Sequence, residues 1–318
     1  MLRVLLVKTS SLGDVVHNLP VASDIRSRVP DSSIDWAVEE AYAPLVRLHP
    51  AVGRVIPVAI RRWRSRMSSR STWCEIGALR RSLRAERYDA IIDTQGLIKS
   101  ALIARAARGR RHGFGFRSAR EALAPLLYDI THHVEGAQHA VVRNRALAAM
   151  ALGYRAEAPA DYGIAAGSDR SPVEGQYAVL LHATSRSEKL WPEEHWVALG
   201  ANLQARGYRS VLPWLSDVER SRSLRIASAL DRVWIPAAPT TLEIMVALLG
   251  GAGVVIGVDT GLLHLAAALA VPVAAIYCAT DPALTGVYGA PRARNLGGPG
   301  RMPAVAQVVA ALTELGVS

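Results

Sequence analysis

Short apolar runs rich in Val, Ile and Leu alternate with stretches of helical periodicity along the chain. Runs at 3–8, 33–38, 54–58, 90–94, 178–182, 210–212, 254–258 and 273–277 predict strands. Between them, 15–29, 76–86, 193–206, 217–230 and 242–249 predict helices, and a last helix is expected over 302–315. Strand then helix, repeated, is the pattern of parallel sheets covered on both faces. The chain has 318 residues, half of them hydrophobic, so two α/β domains can each bury a core. The Ala-, Gly-, Pro-, Ser- and Asp-rich stretch 156–175 is the expected linker. It divides the chain into units over 1–160 and 161–318, each a doubly wound, Rossmann-like domain. The nearly apolar stretch 261–279 could suggest a membrane span. Asp259 and His264 flank or enter it and Pro272 divides it, so a buried helix over 262–270 and then a buried strand are expected. The first eight residues read as a buried strand and not as a signal peptide.

Charge is distributed unevenly. Residues 1–165 carry 25 Lys and Arg against 15 Asp and Glu, whereas 166–318 carry 12 of each. The whole formal excess of +10 therefore sits in the first half, which suggests an anionic partner for that half. The two cysteines, Cys74 and Cys278, lie far apart, and free thiols in a reducing, cytoplasmic compartment are expected.

In a doubly wound sheet, ligands sit beyond the carboxyl ends of the strands. Three strand-exit loops carry unusual chemistry. In the first, 7–14 (VKTSSLGD), Asp14 stands at a helix start. It can be a first-turn carboxylate that stabilises the helix, or a general base facing the ligand. The loop is neither a dinucleotide fingerprint nor a P-loop. In the second, 181–192 (LHATSRSEKLWP), the hydroxyls of Thr184 and Ser185 and the ammonium of Lys189 suit a diphosphate. In the third, Asp259-Thr260-Gly261 opens an apolar helix whose free N–H groups and dipole favour an anion. A carboxylate at Asp259 would repel a phosphate, so it should face sugar hydroxyls instead. His264 on that helix can equally be a hydrogen-bonded core histidine.

The cluster Arg61, Arg62, Arg64, Arg66 and Arg70, with Trp63 interleaved, reads as a basic loop for nucleic acid or a polyanionic headgroup. Lys99, Arg120, His132, His133, His139 and Arg143 could extend the same surface. A nucleic-acid-binding module would use the arginines but leave Asp14, Lys189 and the Asp259 loop without a purpose, so no nucleic acid is expected. His132-His133 has no companion ligand at metal spacing, and no D-x-D triplet occurs.

The segments VKTSSLGDVVHNLP, VIPVAIRRWR, DTQGLIKSA, LHATSRSEKLWPEEHW, VDTGLLHLAAAL and YCATDP span nearly the entire chain. In them the sequence resembles the lipopolysaccharide heptosyltransferases, and most closely the branch that adds the first heptose. The resemblance implies a GT-B fold, two Rossmann-like domains facing a cleft, and an inverting, metal-independent transferase without cofactor. It implies ADP-heptose as donor and Kdo-modified lipid A as acceptor, at the inner face of the inner membrane, with the protein monomeric. The 1–160 domain would bind the acceptor and 161–318 the donor, with the helix 302–315 able to pack back on the first domain. By position, Asp14 would be the base and Lys189 would stabilise departing ADP. Thr184, Ser185, Thr260 and Gly261 would contact phosphate, Asp259 the heptose, and His264 the loop or phosphate. Glu219 would bind ribose and Thr240 adenine. Ser10, Arg61, Arg62, Arg64, Lys99, Arg120, His139 and Arg143 would hold the acceptor.

Overall fold

The computed structural model describes residues 1–165 and 171–317 and divides into two compact units, 1–163 and 164–318. The expected linker 156–175 lies in part on 166–170, outside the described residues.

Unit 1 holds a parallel sheet of β1 (Leu2–Val7), β2 (Ser32–Glu39), β3 (Val52–Val58), β4 (Arg87–Asp93), β5 (Arg108–Phe114) and β6 (Ile130–His132). Its order is β3-β2-β1-β4-β5-β6. Unit 2 holds β7 (Tyr177–Leu181), β8 (Arg209–Val211), β9 (Val233–Trp234), β10 (Val254–Val258), β11 (Val273–Tyr277) and β12 (Ala293–Gly297), in the order β12-β11-β10-β7-β8-β9. Each unit has a doubly wound sheet that reverses direction once, between β1 and β4 in unit 1 and between β7 and β10 in unit 2.

The eight apolar runs all form strands. Four further strands escape the hydrophobic pattern because they sit toward sheet edges. In β5 (RGRRHGF) only the last three residues are buried, and β6 and β9 are three and two residues long. β12 is only half-buried. The stretch 15–29 is two helices, Leu12–Val16 and Leu19–Arg28, not one. Pro20 explains the break, since it lacks an N–H and its ring would meet the carbonyl four residues back. The arginine cluster is helical too: Ile60–Arg64 forms a short helix and a second runs over Arg70–Arg84. The apolar 261–279 region forms the expected helix, Gly261–Ala268, and then β11. No described helix is long and apolar enough to cross a membrane.

In unit 2, Trp191 and Trp196 meet edge to face at 5.1 Å within the core. The Trp191 indole donates to the Pro303 carbonyl (2.9 Å) and anchors the entry to helix Val305–Glu314. That helix places Val308 and Leu312 in the same core, against helix Glu193–Ala205 and β11.

In unit 1, Arg145 on helix Ala140–Leu152 forks onto Asp24 of helix Leu19–Arg28, at 2.7 and 2.9 Å. It also donates to the Ala158 carbonyl. Both side chains of the pair are at most 10% exposed, so deleting one partner strands a desolvated charge. Asp24→Ala should lower unfolding free energy by about 3–5 kcal/mol, while the double change Asp24→Leu with Arg145→Met should recover most of it. Chemical denaturation of the three variants measures this.

Candidate active site

The reversal in unit 1 places the exits of β1 and β4 side by side. Thr9 donates its N–H and its hydroxyl to Gln95 Oε1, both at 2.7 Å, and Gln95 Nε2 donates to the Ser10 carbonyl (3.0 Å). The β4 exit is shaped by buried Asp93, whose Oδ1 accepts from the N–H of Gln95 (2.8 Å) and of Gly96. Gly96 takes φ +68°, a left-handed turn that suits glycine. Tyr128 donates to the other Asp93 oxygen at 2.7 Å. Burial raises the Asp93 carboxyl's pKa, although these donors pull it back.

Asp14 serves two purposes with its two oxygens. Oδ2 accepts from the Ser11 N–H (3.0 Å), fastening the start of helix Leu12–Val16. Oδ1 accepts from Arg120 at 2.6 Å. The first-turn reading of Asp14 thus describes its Oδ2, while its Oδ1 is held by Arg120. Burial by itself would raise its pKa, but the charges of Lys8 and Arg120 and the Ser11 N–H hold it well below the usual carboxylate range. Arg120 is correspondingly raised: desolvation opposes its charge, and Asp14 outweighs that.

Lys8 is 2% exposed and donates to the Thr94 carbonyl at 2.9 Å. Desolvation pulls its pKa down to about 8, with Asp14 and Asp93 working against the shift and Arg120 and Arg143 adding to it. Lys8, Gln95, Arg120, Arg143 and Asn144 line one small polar recess, floored on one side by Phe114. Three cations round one recess make a site for an anionic group. The sequence offers no role for Lys8 beyond ending an apolar run. The one clue to it is that the run stops on a charge at a strand's carboxyl end.

The other residues expected to hold the acceptor divide. Lys99 donates to Ser10 Oγ at 2.9 Å, which brings both to the same loop, and Arg143 stacks over Phe114. His139 is buried and caps helix Ala140–Leu152, its Nδ1 accepting from the Val141 N–H. Arg62 is gripped by Glu40 (3.0 Å) and Glu75 (2.8 Å), so it braces the arginine helix. Arg61 lies over the Tyr42 ring, and Arg64 is exposed.

Unit 2 repeats the arrangement at its own reversal. Thr184, beyond β7, donates to the Asp259 carbonyl beyond β10 (3.1 Å). The Asp259 carboxylate accepts from Lys189 and from Thr280, each at 2.7 Å, with His264 Nε2 3.7 Å from its other oxygen. Burial favours the neutral acid, but His264, Lys189 and Thr280 outweigh it and keep Asp259 ionised. Thr260 and Gly261 begin helix Gly261–Ala268 with no side chain capping it, leaving first-turn N–H groups to meet an anion. Thr280, one residue before the Asp281-Pro282 helix start, is a site neighbour that only the β11 exit position hints at. Ser185 is exposed on its loop. The Glu219 carboxylate accepts from the Leu215 N–H (2.7 Å). Thr240 is bonded through its N–H to the Trp214 carbonyl in the same region, and its buried hydroxyl has no partner among the described residues. Among the described residues, no group of three or more His, Cys, Asp or Glu is placed to hold a metal ion.

The family model for glycosyltransferase family 9 (heptosyltransferase) matches residues 76–308. This chain belongs to that family. Lipopolysaccharide heptosyltransferase 1 of Escherichia coli is 47% identical over 292 residues, covering 91% of each chain. The Pseudomonas aeruginosa protein of the same name is 43% identical, covering 91% of this chain and 82% of its own. The solved structure of E. coli heptosyltransferase WaaC with ADP superposes with a TM-score of 0.92 at 43% identity, covering 99% of this chain and 100% of that one. The complex of WaaC with ADP-2-deoxy-2-fluoro heptose superposes with a TM-score of 0.87. The two six-stranded parallel sheets are those of a GT-B enzyme, and this heptosyltransferase is a glycosyltransferase of that fold.

The buried Lys8 of this heptosyltransferase has a stability cost with a defined sign. Its folded pKa, about 8, lies below the ordinary 10.5, so at neutral pH folding must bury a charge, at a cost of about 3 kcal/mol. The cost fades as pH rises toward the unfolded value, where both states are neutral. Lys8→Met also loses the bond to Thr94, worth about 1 kcal/mol. The variant should be more stable than the parent by about 2 kcal/mol at neutral pH and slightly less stable above about pH 10.5. Denaturation curves across that range measure the crossing.

Proposed function

We propose that this enzyme moves L-glycero-D-manno-heptose from ADP-heptose to the Kdo residue of Kdo-modified lipid A, with inversion and without a metal. The acceptor is held on unit 1 and the donor on unit 2. The single observation that carries the reading is the ionised Asp14 carboxylate bonded to Arg120, which with Lys8 and Arg143 lines the polar recess. A base beside cations suits an acceptor that brings both a hydroxyl and a carboxylate. The donor assignment draws on the WaaC complex with an ADP-heptose analogue.

In the reaction, the Kdo hydroxyl oxygen attacks the anomeric carbon as its proton passes to Asp14. The bond from that carbon to the diphosphate oxygen breaks on the opposite side, through an oxocarbenium-like state. Lys189, the N–H groups of Thr260 and Gly261, and the hydroxyls of Thr184 and Ser185 receive the charge building on ADP. Asp259, with His264 supporting its loop, orients heptose hydroxyls, while Glu219 and Thr240 face ribose and adenine. Lys189 is paired with Asp259 and Arg120 with Asp14. An arriving diphosphate competes for Lys189, and an arriving Kdo carboxylate competes for Arg120. The second exchange makes Asp14 a stronger base only when acceptor is bound. Ser10, Lys99 and Arg143 complete the Kdo contacts, His139 shapes their helix, and Arg61 and Arg64 reach lipid A phosphates. The enzyme then works peripherally at the inner face of the inner membrane.

Incubation with ADP-heptose and delipidated Kdo-lipid A should release ADP, and no release would overturn the reading. Asp14→Ala should lower kcat by about 10²–10⁴-fold with donor affinity nearly unchanged. Arg120→Gln removes a cation that depresses the Asp14 pKa, so the acid limb of the pH profile of kcat/KM for the acceptor, which reports the free enzyme, should move to higher pH. A profile unmoved by Arg120→Gln would count against the exchange. Changing Arg61 and Arg64 to Ala while keeping the brace Arg62 should raise the acceptor KM several-fold and leave the donor KM alone.

A further inference from the structure

Of the large apolar side chains of unit 1 that stand in solvent, five lie between residues 98 and 126. Helix Ile98–Ala106 buries Ala101, Ile103 and Ala104. Its opposite side carries Ile98 and Leu102, one turn apart and 36% and 54% exposed. The 3₁₀ turn Ala124–Leu127 packs against this helix through Ala124, in a small cluster with Ala101 and Tyr128. Leu123 and Leu126, three residues apart and so on one side of such a turn, are 61% and 65% exposed. Phe116, just beyond β5, is 61% exposed.

This face has a firm base. The Glu121 N–H donates to the Gly96 carbonyl at 3.1 Å, and the Glu121 carboxylate accepts from the Ile98 N–H at 2.6 Å. Residues 98–126 contain seven Lys and Arg and one acid, Glu121, which is occupied by that bond. Cations follow the apolar tips directly: Lys99 after Ile98, and Arg117 after Phe116.

Protruding Leu and Phe side chains set among cations of which, among the described residues, only Arg111 and Arg120 are ion-paired match the boundary between phosphate headgroups and acyl chains. The apolar tips enter the acyl layer while the long basic side chains stay among the phosphates. A protein partner would have to supply both an apolar hollow and a dense ring of acids, whereas an anionic bilayer supplies both over any area. We propose that this face of unit 1 docks on an anionic lipid bilayer, with Phe116, Leu123 and Leu126 inserted at the acyl boundary. Arg120 belongs to the same segment and bonds Asp14, so docking sets the headgroup layer beside the polar recess. That last link rests on the functional reading above, and the docking itself does not.

Sedimentation of the full chain with vesicles tests the proposal. Vesicles of phosphatidylglycerol and phosphatidylethanolamine should bind at least about tenfold more tightly than pure phosphatidylcholine. The variant F116S/L123S/L126S should lose at least about tenfold on the anionic vesicles. It should keep its melting temperature and its turnover of a delipidated acceptor. In otherwise unchanged protein, L123W should show emission quenched by brominated acyl chains beyond the quenching of the parent. Equal sedimentation of parent and triple variant, no added quenching in L123W, or no binding of the parent to anionic vesicles would each overturn the docking. Intact docking with no turnover by any of the proteins would support the surface and reject the functional reading alone.

Discussion

In each unit the chain lays down three strands to one side of its sheet, returns to the middle and continues on the other side. At that return two neighbouring parallel strands send their exit loops to opposite faces, and the backbone between them is left without a ladder partner. Side chains supply what the ladder cannot. Gln95 bridges the two exits in unit 1 through Thr9 and Ser10, and Thr184 bridges them in unit 2 through the Asp259 carbonyl. Ser10, Lys99, Thr184, Ser185, Lys189, Asp259 and Thr260 lie on these bridges or directly beside them.

The electrostatics of the two centres also correspond. Each places a largely buried carboxylate, Asp14 or Asp259, against a cation whose charge keeps it ionised despite desolvation. In water such pairs are worth little, but partial burial strengthens the attraction while making an unpaired charge costly. An anionic substrate group can then replace the carboxylate as the cation's partner. In the proposed reaction this exchange couples substrate arrival to readiness: Lys189 passes to the diphosphate and Arg120 to the acceptor carboxylate. Lys8 shows what such a centre costs, since an ammonium buried beside two arginines destabilises the fold at neutral pH.

The asymmetry of charge has a structural counterpart. Unit 1 uses some of its arginines internally, as in the Arg145–Asp24 fork and the Arg62 brace between Glu40 and Glu75. Others, Arg64 and Arg117 among them, stand in solvent. A count of charges from the sequence cannot separate the two groups, because both occur in the same short runs.

The apolar periods alone determined the class of fold, eight of the twelve strands and the exit loops worth attention, because buried central strands must be continuously apolar. Asp14, Lys189 and the Asp259-Thr260-Gly261 loop were legible there as polar residues at the carboxyl ends of such strands. The strands at or next to the sheet edges, β5, β6, β9 and β12, were not, since half-buried backbone can be built from Arg, Gly and His. Nor was the pairing of charges. That Arg62 is a brace, that Lys8 lies inside the polar recess, and that Thr280 shares Asp259 with Lys189 depend on contacts between residues 13 to 136 positions apart. Only the tertiary structure decides these, because Coulomb and hydrogen-bond energies depend on distance and burial in space, and neither can be read from separation along the chain.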